Sequence, residues 1–257
     1  MARKTLLQGV FAVGVAGAVL LSGACGMVTK QYADNEAVGQ AIRSVLVAND
    51  SGAVKIRTGG TTRVHRQVHH NSDRPGATHR VDGAVLILES CPVRNCWVDY
   101  DVVVPEGVTV RGKIESGDVE IEGAESVNVS AGSGDVTVRK VSGKVTVAAD
   151  SGRVELVDIG DNVAVDVSSG SVKAVGLGGS ADIGTSSGSI EVALVEVGNV
   201  RARADSGQIQ VAVPQGRYRV EAVVDSGDLD NGIGSDVEAA NSVDIQADSG
   251  DVSIRYT

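Results

Sequence analysis

The chain has 257 residues and a formal charge of -10, a balance that argues against electrostatic attraction to nucleic acid or to anionic lipid headgroups, and no basic stripe offsets it. Aromatic residues make up 2% of the chain against 33 glycines, so a core built on bulky rings is excluded and a thin, layered, repetitive one is expected.

At the N-terminus, Arg3 and Lys4 precede an apolar run from Leu6 to Leu21, followed by Ser22-Gly23-Ala24-Cys25-Gly26. Charged, apolar and small segments in that order make a secretory signal over residues 1–24. The cysteine after small residues resembles a bacterial lipoprotein signal, with Cys25 as the lipidated (palmitate-bearing) first residue of the mature chain. Ordinary signal cleavage and an uncleaved anchor are the alternatives, and the run falls just short of the roughly 17 residues that span a bilayer. Residues 25–41 are then a tether.

Residues 42–106 read as capping coils at the N-terminal end of a repeat. Strand character at 42–57 holds a first Ser51-Gly52 turn. The polar, His-rich stretch 59–80 follows, and strand character resumes at Val81-Asp82-Gly83-Ala84-Val85-Leu86-Ile87. In an exported chain, Cys91 and Cys96 of "CPVRNC" most simply form a disulfide that closes a small loop. A zinc site completed by His65, His69 or His70 is the sharper alternative, but the pair lacks two further thiols or a downstream His pair at finger spacing. His65 and His69 are also candidates for a transition metal; on a strand they share one face about 13 Å apart, which favours a solvated polar strand or loop.

From 107 to 257 the chain repeats. Ser-Gly, any residue, then Val, Ile or Leu recurs at Ser116-Gly117, Ser133-Gly134, Ser151-Gly152, Ser169-Gly170, Ser187-Gly188, Ser206-Gly207, Ser226-Gly227 and Ser249-Gly250, at intervals of 17, 18, 18, 18, 19, 20 and 23. Most intervals carry a second turn signal near the middle. Between turns lie alternations such as Val136-Thr137-Val138 and Ile209-Gln210-Val211-Ala212-Val213, the period-two mark of half-buried strands. A unit of strand, turn, strand, turn cannot bury its own apolar face, so units must stack. The fold class is therefore all-β, a single-stranded, β-helix-like solenoid with coils of roughly 18 residues. An antiparallel meander with the same turns is the competing topology. In the solenoid, Ser-Gly is the corner: Gly accepts angles that a Cβ forbids, Ser and Asp bond nearby backbone, and stacked Ser side chains form a ladder.

The strand entry at Asp82-Gly83, the Cys91 to Cys96 pair followed by Asp99-Tyr100 and Val104-Pro105, and Ser-Gly-Asp-Val at Ser116, Ser133 and Ser249 together make the chain resemble the DUF4097 family of β-strand-repeat proteins, named as adhesins of bacterial envelopes. The resemblance spans roughly residues 42–257. It implies the fold strongly and the activity weakly.

Enzyme classes fare poorly against this pattern. Triad chemistry needs a base beside the nucleophile, and His65, His69, His70 and His79 all lie in one upstream segment that serves at most one corner. Sugar cleavage needs paired carboxylates with rings for stacking, and rings are scarce. Calcium is the stronger candidate, because Asp118, Asp135, Asp150, Asp205, Asp225, Asp228, Asp248 and Asp251 flank corners. Against it, the Gly-Gly-x-Gly-x-Asp nonapeptide is absent and the central corners carry Ser171 and Ser189 instead. No cofactor or metal is expected. The expectation is a non-enzymatic, exported protein, lipid-anchored on the extracytoplasmic face of the membrane, that presents its solenoid as an adhesin-like interaction scaffold to an envelope protein or polysaccharide. The alternative is an accessory or sensor subunit of an envelope-stress system, with the final strand 252–256 pairing edge to edge with a partner.

Overall fold

The computed structural model describes residues 29–71 and 73–257, which form 23 strands and no helix. The N-terminal region holds β1 (Lys30–Ala37), β2 (Ser44–Ser51), β3 (Val54–Thr58), β4 (Arg63–His70), β5 (His79–Asp82), β6 (Val85–Glu89) and β7 (Cys96–Val104). Paired strands then follow: β8 and β9 (Thr109–Ser116, Val119–Glu122), β10 and β11 (Ser126–Ser133, Val136–Val141), β12 and β13 (Val145–Ser151, Val154–Ile159), and β14 and β15 (Val163–Ser169, Val172–Leu177). The series closes with β16 and β17 (Ala181–Ser187, Ile190–Leu194), β18 and β19 (Val200–Ser206, Ile209–Val213), β20 and β21 (Tyr218–Ser226, Leu229–Asn231), and β22 and β23 (Asn241–Ser249, Val252–Tyr256).

Each coil contributes one strand to each of two facing sheets. One sheet has 12 strands in the order β1-β4-β7-β3-β9-β11-β13-β15-β17-β19-β23-β21, and the other has 11 in the order β20-β22-β18-β16-β14-β12-β10-β8-β2-β6-β5. Pairing from β8 and β9 onward is parallel and in register apart from a shift between Val175 and Leu177 of β15, which excludes the meander. This is the all-β solenoid expected from the repeat.

The register builds the core as columns. Val119, Val136, Val154, Val172, Ile190, Ile209 and Val252 stack one above another, each at most 1% exposed. Facing sheets stand roughly 10 Å apart, a gap that Val, Ile, Leu and Ala fill without rings.

Two departures from simple stacking matter. The extra residues at the N-terminal end make antiparallel strands rather than wider coils: β4 runs antiparallel to both β7 and β1, and β5 to β6. Residues 30–37, inside the stretch expected as a tether, are strand β1, held because β4 offers it a complete edge. At the other end, chain order and spatial order part company. β22 lies between β18 and β20, and β23 lies between β19 and β21, so the last coil in sequence is inserted beneath the one before it. Strand 252–256 is thus an interior strand and offers no edge to a partner, which corrects the edge-pairing expectation for that segment.

Candidate functional site

The repeated Ser-Gly pairs make one column along the molecule. Partner registers run Ser51, Ser116, Ser133, Ser151, Ser169, Ser187, Ser206, Ser249, Ser226. The corner glycines hold positive φ, for example 131° at Gly117 and 138° at Gly207. A Cβ at each from Gly117 onward would strike the carbonyl oxygen of the glycine one coil away, as Gly170 against Gly152 and Gly250 against Gly207, and at Gly52 it would strike Val98 O.

The ladder that joins the corners differs from the expected one. It is made by backbone, with Gly117 N–H donating to Ser133 O at 2.9 Å and Gly188 N–H to Ser206 O at 2.9 Å, while the serine side chains stand exposed. The residue after glycine adds a second rail. Asp118 Oδ1 accepts from Asp135 N–H at 2.9 Å, Asp135 Oδ1 from Arg153 N–H at 2.8 Å, Ser171 Oγ from Ser189 N–H at 3.4 Å and Asp251 Oδ1 from Asp228 N–H at 3.1 Å. Serine can replace aspartate at the central corners because the job is to accept one N–H. The opposite corner has its own rail: Asn162 Oδ1 accepts from Ser180 N–H, Ser180 Oγ from Asn199 N–H, and Asn199 Oδ1 from Ser242 N–H. Among the described residues no group of three or more His, Cys, Asp or Glu is placed to hold a metal ion.

The histidines gather at the N-terminal end, on different faces. His69 stacks on Trp97 with centroids 4.7 Å apart, and its Nε2 lies 3.2 Å from Asp99 Oδ2. Asp99 in turn accepts from Ala53 N–H at the first corner. His70 is buried edge-on to Tyr32, and buried His79 lies 3.2 Å from Glu36 with its Nδ1 unpartnered. His65 is on the same face of β4 as His69, away from His70. No corner serine is hydrogen-bonded to His65, His69 or His79. Cys91 and Cys96 are joined by a disulfide, their Cα atoms 5.7 Å apart. Cys25 and the signal segment 1–24 lie outside the described residues.

Sequence reading missed the polar centre of this end. Arg66, 8% exposed, forks onto Asp34 through Nε at 2.7 Å and Nη2 at 2.8 Å, and its Nη1 donates to Gly76 O and Thr78 Oγ1. The guanidinium holds the Asp34 carboxyl below its usual range. Beside it the buried Tyr100 hydroxyl donates to Glu89 O at 2.7 Å and lies against Thr78 O, and burial pushes its pKa up to about 12. The one available signal was Arg66 at an alternating position between Val64 and Val68.

The outer faces are laced between coils by ion pairs such as Lys55–Glu120, Arg139–Glu155, Lys173–Glu191 and Arg203–Asp182. Each such exposed pair contributes about 0–1 kcal/mol. A concavity of about 480 Å³ on the 11-stranded sheet is lined by Arg201, Arg203, Arg219, Glu221, Val223 and Asp244, but Arg203 and Arg219 are already paired with Asp182 and Glu221.

A family model described as Toastrack DUF4097 matches residues 99–255. Solved structures of similar outline include a proposed adhesin from Bacteroides fragilis, at 17% identity and a TM-score of 0.43 over 89% of this chain and 97% of that one. A proposed adhesin from Parabacteroides merdae shows 13% identity and 0.39 over 89% and 96%. A proposed cell adhesion protein from Clostridium sporogenes shows 16% and 0.30 over 89% and 100%. No curated protein matches the sequence.

Proposed function

The chain belongs to the Toastrack DUF4097 family, and from that premise we propose that it is a non-enzymatic, lipid-anchored protein of the cell envelope that presents its solenoid as an adhesin-like interaction scaffold. The observation that carries this reading is the use of the repeated residues. Corner Gly, Asp and Ser bond to the next coil, so the conspicuous motif builds a rigid body with two long faces. The disulfide beside the N-terminal end suits an oxidising compartment, in line with export under the segment 1–24.

Two measurements test it. Cys25→Ala is expected to leave the membrane fraction of the producing bacterium; a variant that still sediments with membranes refutes lipid anchoring. Crosslinking on intact cells is expected to trap an envelope protein or polysaccharide, and a purified protein that turns over a substrate would refute the scaffold reading.

A second reading, an accessory or sensor subunit that binds a protein by strand addition, is favoured by one observation. At the C-terminal end of the stack the 11-stranded sheet ends on β20, part of whose edge is open, whereas the strand 252–256 expected there is interior.

A further inference from the structure

The two ends of the solenoid are finished differently. At the N-terminal end β1, β4 and the loop around Pro75 close the core, with the Tyr32 hydroxyl donating to Pro75 O and Arg74 lying 3.8 Å over the Tyr32 ring. At the C-terminal end the terminal coil is β20 and β21: Tyr218 is buried and Ile233 packs against the core, while the inward Val220, Ala222 and Val224 are only partly buried. Leu229 stands in the column of Val252 and Ile209, which are at most 1% exposed, yet is itself 46% exposed.

The edge of β20 is half covered. Asp236 N–H donates to Tyr218 O, and Ser235 Oγ bonds to both Val220 N–H and Val220 O. Backbone direction alternates along a strand, so Ala222 and Val224 point their N–H and C=O the same way, past the end of that loop. Those four groups have no partner in the described residues. A short strand fits there.

We propose that the edge from Glu221 to Asp225 accepts, by strand addition, an extended segment of a partner protein in which apolar and basic side chains alternate. The alternation follows from the two faces of the edge. Alternate side chains of the added strand fall over the open core beside Ala222 and Val224, where apolar groups complete the column. The others fall on the outer face beside Glu221, Val223 and Asp225. Near them Asp225, and Asp228 at the corner, have no cation within ion-pair distance among the described residues, and Arg219 is held by Glu221 at 3.3 Å. A second copy fits worse: antiparallel self-pairing that joins Ala222 to Val224 of the other copy sets Glu221 opposite Asp225. The proposal rests on the scaffold reading and names where and what the scaffold docks.

The test uses a labelled ten-residue peptide of alternating Lys and Val, and a Glu–Val counterpart of equal apolar content, with fluorescence anisotropy and residue-resolved amide exchange. The Lys–Val peptide should bind and slow exchange at Ala222 and Val224, and the Glu–Val peptide should bind at least about tenfold more weakly. Ala222→Pro keeps the charge and removes only an outward N–H, which an edge strand tolerates, and should reduce Lys–Val binding by about tenfold or more. If that variant unfolds, Val223→Lys with Asp225→Lys serves instead and should invert the preference between peptides. Equal Lys–Val binding in wild type and in folded Ala222→Pro overturns the proposal, because the peptide is then held by diffuse charge. A concentration-dependent dimer abolished by Ala222→Pro also overturns it, in favour of a second copy. Failure of the peptide while crosslinking on cells still traps a partner removes this edge and leaves the scaffold reading standing.

Discussion

At the scale of single residues, the corner glycine carries a burden that its neighbour does not. Gly170 has a φ of 155° and no room for a Cβ against Gly152 O, whereas Ser169 is exposed and contributes its backbone to the ladder. Gly170→Val should therefore cost about 3 kcal/mol or more, and Ser169→Ala about 0.5 kcal/mol or less, as read by urea denaturation. Tyr100 makes a different prediction. Its pKa is raised by burial from 10.0 to about 12, so the native state holds the proton more tightly than the unfolded chain. Stability present below pH 10 is lost as pH rises toward 12, by about 2–3 kcal/mol in full. Melting temperatures across that window should fall less steeply in Tyr100→Phe; identical slopes would contradict the assignment. The Ser-Gly repeat was legible because glycine recurs at a fixed phase. Tyr100 in its hydroxyl role was not, since its acceptors on Thr78 and Glu89 are backbone atoms that any residue supplies.

At the scale of elements, β1 depends on a polar anchor more than on burial. Its pattern is largely exposed, and Asp34 gives it a two-pronged bond to Arg66. Asp34→Ala leaves a buried guanidinium without its carboxylate and should destabilise the N-terminal end by about 2 kcal/mol, with amide exchange rising across β1 first. The same pair predicts acid behaviour: the lowered Asp34 pKa contributes stability above pH 4 or so that disappears as pH falls through the folded value. Strand periods were readable from 107 onward, where alternation is strict. β1 was not, because Lys30–Ala37 is polar on both faces and takes its conformation from the β4 edge.

At the scale of the molecule, the inserted last coil makes the C-terminus structural. β23 is the neighbour of both β19 and β21, so deleting residues 252–257 removes the only partner strand of β21 among the described residues and uncovers the coil of Ser206. Thermal melting of that truncation should drop by about 10 °C or more, as a loss of several kcal/mol implies for a chain of this size; a shift of a degree or two would mean β23 is an ornament at an edge. The coil of Ser226 also lacks a full stacking surface until residues 241–256 are in place, which ties the last two coils into one cooperative unit. By itself the sequence determined the two-strand coil, the corner and the thin aliphatic core, because period-two alternation and glycine spacing are local properties that neighbouring copies share. Only the tertiary structure decided the order of the last two coils, the antiparallel end with its Arg66 centre and the open edge of β20. Each of these depends on which equivalent surface a strand meets in space, and repeats with near-identical faces do not encode that choice in their own residues.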